Sequence, residues 1–125
     1  MFTKFPKDDE RTVWTRHIKN KMMFYGISES KIKRVLKSPK RTETGIAPNT
    51  SAAMQPNDRG KKKEEIWVMY QQQNQIANNK NQKLRRAPKF LLISAWRYPG
   101  VTKPGTPIHI PDDVLADLDA NVGKQ

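Results

Sequence analysis

Between Trp14 and Pro39 the apolar residues recur at the spacing of two short helices with a single break between them. Trp14, Ile18, Met22 and Tyr25 follow one another at steps of four, four and three, which puts them on one stripe of a helix predicted over Thr12 to Tyr25. Gly26 supplies the permissive backbone for its C-terminal end, and the hydroxyl of Ser28 is placed to cap a second helix. Ile27 before that cap and Ile32 within the helix have the spacing of a hydrophobic staple, which sets the angle between the two helices. Ile32, Val35 and Leu36 form the buried face of the second helix, and Pro39 stops it because proline disfavours helical geometry in the residue before it. Lys31, Lys33, Arg34 and Lys37 are left outward or flanking, with Lys40 and Arg41 just beyond.

After Pro39 the period changes from helix to strand. Arg41 to Ile46 reads as a polar edge strand and Ser51 to Gln55 as a short one, separated by the turn formers Ala47, Pro48 and Asn49. Glu65 to Gln71 alternates cleanly, with Ile66, Val68 and Tyr70 on one face and Trp67 and Met69 on the other. Lys89 to Arg97 is nearly continuous in apolar residues, the mark of a strand covered on both faces, and it is expected to pair with Glu65 to Gln71. Gln72 to Pro88 is too poor in apolar residues to offset its ordering entropy and reads as a long mobile loop. Asn57 to Lys63 is a shorter basic loop ending in three lysines.

The expected fold is therefore α+β, with two N-terminal helices packed on a three- to four-stranded antiparallel sheet and a short C-terminal helix. Residues 1–11 are a tail, 12–98 the single domain, and 99–125 a proline- and glycine-rich connector followed by an acidic helix that begins near Pro111. That acidic end either packs its leucines against the sheet or folds back onto the basic residues and competes with whatever they bind. From Ile108 onward four aspartates face one lysine, so this segment carries −3 and the remainder +15 of the net +12.

A charge of +12 over 125 residues, with a pI near 10.1, attracts polyanions: RNA, DNA, an anionic membrane surface or an acidic protein. Met1 to Arg11 lacks the apolar run of a secretory signal and no stretch is long and apolar enough to span a bilayer, so a cytoplasmic location and no membrane partner are expected. The chain has no cysteine, which excludes thiol catalysis and disulfides and makes structural zinc an unlikely design. Phosphate-binding glycine loops, nucleophile elbows and zincin motifs are absent, and no cofactor or metal is implied.

His17, Ile18, Lys21 and Met22, then Gly26-Ile27-Ser28, Ile32, Val35-Leu36, Pro39 and Arg41, followed by two apolar strands, resemble a small family of bacterial and phage domains with the pattern His-Ala-x-x-Arg-Met, Gly-Ile-Ser, valine and proline at these spacings. That family is similar in layout to the BrnT and RelE-type ribonuclease toxins. The resemblance spans roughly Trp14 to Arg97. It implies two helices followed by a curved antiparallel sheet, cleavage of RNA without a metal through an activated ribose 2′-hydroxyl, and an acidic antitoxin-like partner. Lys21 stands where the family has arginine, which keeps the charge but loses the bidentate fork.

The residues themselves leave three functions open. In the first, the protein binds RNA, with metal-independent endoribonuclease activity of the RelE-like kind as its sharper form. His17 would be its acid or base, because an imidazole exchanges protons near neutral pH. Lys21, Lys33, Arg34, Lys37, Arg41, Arg97 and Tyr98 would contact the nucleic acid. In the second it is a noncatalytic basic module for ribosomal RNA or DNA, and in the third a domain that docks an acidic antitoxin-like protein. His17 borders the apolar stripe of its helix, so it can equally be a structural histidine hydrogen-bonded to the sheet. Trp67, Tyr70, Trp96 and Tyr98 interleave with basic residues as base-stacking groups do, but strand alternation buries about half of them and leaves Tyr98 the best placed. Glu64 and Glu65 read as a carboxylate base or, more simply, as balance for three lysines. His109 is given no role.

Overall fold

The computed structural model describes residues 6–45, 49–73, 89–105, 108 and 110–116. In chain order the elements are β1 (Thr12–Trp14), α1 (Arg16–Tyr25), α2 (Glu29–Lys37), β2 (Arg41–Thr44), β3 (Ser51–Pro56), β4 (Glu64–Gln73) and β5 (Lys89–Pro99), with a further helical turn over 112–116. Among the described residues none of the helices is long and apolar enough to cross a membrane.

The α+β class holds, but the sheet is larger than expected and mixed. Its order is β1-β5-β4-β3-β2, antiparallel throughout except where β1 runs parallel to β5. The added strand lies where the sequence pointed to the first turn of a helix. Trp14 belongs to the strand, paired with Leu92, and Thr15 is the N-cap, its side chain accepting from the Ile18 amide and its hydroxyl donating to the Leu92 carbonyl at 2.8 Å. The error has a physical source: Trp14 is as buried as a helical stripe residue would be, and three residues of strand are too few to show their own period.

Residues 8–11, read as tail, brace β1. One Asp8 carboxylate oxygen accepts from the Trp14 amide and one Asp9 oxygen from the Arg11 and Thr12 amides, each at 2.8 Å. β4 runs on to Gln73, two residues into the expected loop, and positions 74–88 lie outside the described residues, as does His109.

The helices cover one face of the sheet. Trp14, Ile18, Met22, Ile27, Ile32 and Val35 close over Ala53, Ile66, Val68, Leu92 and Ala95. Ile27 and Ile32 are both buried, as a staple requires. Gly26 ends α1 at φ 67°, ψ 42°, and the next amide, Ile27, returns to the Met22 carbonyl at 2.9 Å. This left-handed closure turns the chain directly into α2.

The opposite face is covered from the chain's far end. Ile110 and Val114 pack on Ala52, Met54, Trp67, Met69 and Trp96, with the Trp67 and Trp96 rings stacked at 6.4 Å. Glu65, only 2 % exposed, pins the connector that leads there: its carboxylate accepts from Trp67 Nε1 and from the amide and hydroxyl of Thr102. This removes Glu65 as a free base and explains why a charged residue can sit in the core.

A Gly26→Ala variant places a Cβ on a left-handed backbone and is expected to lose about 1–2 kcal/mol in urea unfolding, with the unfolding slope unchanged.

Candidate nucleic-acid interface

α1 begins beside β5 and ends over it, so the residues along α1 meet different surroundings. His17, near its start and half-buried, places Nε2 2.8 Å from the Ser94 hydroxyl on β5. Ser94 is itself buried, at the point where the β4–β5 register shifts. The imidazole thus ties helix to sheet, the structural alternative noted above.

Lys21 is withdrawn from the surface. It is 7 % exposed, and its ammonium lies 2.7 Å from Asp113 of the C-terminal turn, which also accepts from the Tyr25 hydroxyl at 3.0 Å. The acidic end of the chain packs Val114 on the sheet, with Leu115 partly buried beside it, and its Asp113 pairs with a lysine of α1. Burial works to raise the Asp113 pKa, but the hydrogen bonds from Lys21 and Tyr25 outweigh it and hold the carboxyl below its ordinary 3.8. Burial, with the Asp113 carboxylate beside it, pushes the Tyr25 phenol well above 10.0.

Arg41 faces the side of the sheet away from the helices, in register with Met54, and is occupied there. It pairs with Glu43, donates to Thr102 and lies 5.2 Å from the Trp67 ring. Three strand spacings, about 14 Å, separate β2 from β5, where Arg97 lies on the helix-covered side. Tyr98 is half-buried against the Trp67–Trp96 cluster, and Tyr70 packs edge-on to Phe90, so neither presents an open face.

On α2 the expected cations divide between two flanks. Lys33 and Lys37 border an open cleft of about 820 Å³ together with Arg11, Asp9 and Glu10, a nearly balanced set of charges. Lys33 also pairs with Glu29 one turn back. The other flank is different. Lys31, Arg34 and Arg97 line a cleft of about 280 Å³ with Gly26, Ile27, Ser28, Asn57 and Ile66, and no acid is in that lining.

Several side chains of this second cleft are held by neighbouring groups. Arg97 donates from Nε and one terminal nitrogen to the Tyr25 carbonyl and from the same nitrogen to that of Gly26, at 2.7–3.1 Å, and pairs with Glu64 at 2.6 Å. Its charge is therefore fixed in place. Glu64 also accepts from Asn57, and Arg59 lies 3.5 Å away; burial opposes its ionisation, but the hydrogen bonds from Asn57 and Arg97 hold it below 4.5. Gln55 takes a hydrogen bond from the Lys31 ammonium at 3.2 Å and gives one to the Ser38 carbonyl at 2.7 Å, tying β3 to α2. Burial, and then the neighbouring Arg34 charge, lower the Lys31 pKa from 10.5.

Thus the structure joins Arg34 and Arg97, sets Lys33 and Lys37 on the opposite flank of α2, and leaves Lys21, Arg41 and Tyr98 held by other groups. His17 and Gly26 are nine residues apart on α1, roughly 13 Å along the axis, so the imidazole does not reach an anion in the cleft. Lys31 was visible in the basic run but indistinguishable there from its neighbours. Glu64 was read as a carboxylate base or, more simply, as charge balance, and not as the partner of Arg97. Among the described residues no three of His, Asp or Glu gather closely enough to hold a metal ion.

The C-terminal turn should hold only while Asp113 is ionised and Tyr25 is not. A depressed carboxyl pKa contributes stability above 3.8 that is lost as pH falls through the lowered value, and a raised phenol pKa contributes stability below 10.0 that is lost as pH climbs through the raised one. Asp113→Asn leaves the Lys21 ammonium poorly paired and is expected to cost about 1–3 kcal/mol. It should also flatten the acid limb of the stability profile, read by amide exchange at Val114 and Leu115 against pH.

No protein-family model matches this chain, and neither a characterised protein nor a solved structure matches it, so what the site does rests on its own geometry.

Proposed function

We propose that the protein binds RNA, gripping a backbone phosphate in the cleft between the start of α2 and the end of β5. The observation that carries this reading is a cleft lined by Lys31, Arg34 and Arg97, in which Glu64 pairs with Arg97 and leaves the two cations of α2 in excess. Its volume, about 280 Å³, is at the low end of the range for small-molecule sites and suits a phosphodiester better than a whole nucleotide. Arg97 acts as a preset wall, because its guanidinium is already held by carbonyls and Glu64, while exposed Arg34 offers an unconstrained fork. The Ser28-capped end of α2 adds the positive end of a helix dipole. Lys33 and Lys37 extend the basic surface over the outer side of α2.

The similarity to BrnT and RelE-type toxins makes RNA cleavage the sharper form of this proposal, with His17 as the proton carrier. The separation of His17 from the cleft and its tie to Ser94 favour the binding form. An acidic antitoxin-like partner would compete for the same cations.

The test is labelled single-stranded RNA in EDTA, with binding and cleavage read from one gel for wild type, His17→Ala and the double variant Lys31→Ala/Arg34→Ala. Binding by wild type should fall with salt at about 0.7 logarithmic units per phosphate contact, and the double variant should lower both affinity and that slope. Cleavage by wild type and not by His17→Ala would establish the catalytic form; a shift without cleavage in both would leave a binding module. Salt-insensitive binding, or a double variant that binds as wild type does, would overturn the proposal.

Because bound phosphate favours the charged ammonium, affinity should also decline on the alkaline side at a lower pH than an ordinary lysine would give. Titrating Lys31→Arg beside wild type checks this: the arginine variant should keep its affinity through that range.

A further inference from the structure

The end of α1 carries a group that phosphate binding does not use. Phe24 is 69 % exposed, and among the described residues it is the only aromatic side chain in the open; the next residue back, Met23, is 51 % exposed. Single exposed apolar residues are common on protein surfaces, so exposure alone says little. The ring, however, is held. Its neighbour Tyr25 meets it edge-on at 4.9 Å and 88°, and the Tyr25 hydroxyl is anchored on Asp113. The Lys21 ammonium lies 5.3 Å from the ring centroid and is anchored on the same carboxylate. An aromatic held from beneath loses little conformational freedom when a flat ligand covers it.

Its location supplies the ligand. Phe24 precedes by one and two residues the Tyr25 and Gly26 carbonyls that Arg97 grips, and Gly26 lines the cationic cleft. Two residues at the end of a helix span only about 3 Å of axis but are turned about 200° around it, so a strand that reaches Phe24 from the cleft crosses the end of α1 over Gly26. A groove that tracks the backbone beside an aromatic that stacks a base is the pairing used by proteins that hold single strands.

We propose that Phe24 stacks an unpaired base of the RNA whose phosphate occupies the Lys31–Arg34–Arg97 cleft. The inference rests on the RNA-binding reading above and adds to it the form of the ligand: a single strand with at least one base turned out. Stacking uses the π-face that every base has, so the contact is tolerant of sequence.

The experiment compares the full chain with Phe24→Ala, Phe24→Leu and Phe24→Trp against two polyanions: a short single-stranded RNA, and inorganic polyphosphate, which has charge but no bases. Melting curves first establish that each variant folds, as an exposed position allows. Phe24→Ala and Phe24→Leu are expected to bind RNA roughly tenfold or more weakly and polyphosphate as wild type does. Phe24→Trp should restore RNA affinity, and the exposed indole, distinguishable from the buried Trp14, Trp67 and Trp96, should be quenched by RNA and not by polyphosphate. Wild-type RNA affinity in Phe24→Ala, while Lys31→Ala/Arg34→Ala still weakens binding, would overturn stacking and leave phosphate binding intact. Full affinity in Phe24→Leu would reduce the contact to apolar cover and overturn stacking as well. Failure of wild type to bind RNA at all would overturn both.

Discussion

The guanidinium of Arg97 is where the helical and sheet halves of this molecule are joined. α1 ends with carbonyl groups that have no partner within the helix, and Arg97 reaches them from β5 while its other side is paired with Glu64 of β4. One side chain thereby fixes the end of α1, the left-handed turn at Gly26 and the start of α2 relative to the two longest strands. The cleft exists because of this arrangement: α2 sets out from a point held against the sheet, and Lys31 and Arg34 on its near flank then face Arg97. An arginine suits this position because its planar fork serves carbonyls and a carboxylate at once, which an ammonium on a flexible stem does not.

The large positive charge is distributed unevenly, and the fold decides which part of it is available. Asp113 silences Lys21, Glu43 engages Arg41, and Asp9 and Glu10 share a cleft with Lys33 and Lys37. The C-terminal segment has a double part in this. It covers the aromatic face of the sheet with Ile110 and Val114, and it places the carboxylate that orders Lys21, Tyr25 and, through them, Phe24. A net charge describes attraction at long range; the fold gathers Lys31 and Arg34 beside the Glu64-paired Arg97 in one cleft.

Much of the architecture was legible residue by residue. The spacing of Ile18, Met22 and Tyr25, the Gly26-Ile27-Ser28 break and the Pro39 stop located both helices, although the same spacing drew Trp14 wrongly into the first; strand-type patterning located β2 to β5 to within a few residues. The parallel strand β1 was not legible, because three residues carry no period and the partner that defines them, Phe90 to Leu92, is far along the chain. Of the site, Arg34 and Arg97 were named, and the tryptophans were recognised as better suited to the core. Phe24 falls off the apolar stripe of α1, so its exposure was readable from spacing alone, yet Trp67, Trp96 and the tyrosines drew attention as stacking groups. Alternation within a strand says which residues share a face, and says nothing of what covers that face.

The amino-acid sequence by itself determined the local structure, the α+β class and the excess of cationic charge, because helix periodicity, caps, proline stops and strand alternation act between near neighbours. The tertiary structure alone decided which cations are neutralised and which stand together. Whether Lys21 meets Asp113, Arg41 meets Glu43, or Arg97 meets the end of α1 depends on contacts between residues that are distant in the chain or on opposite layers of the sheet. Electrostatic interactions between such groups fall off within a few ångströms of solvent and take their strength from burial, and burial is a property of the assembled fold.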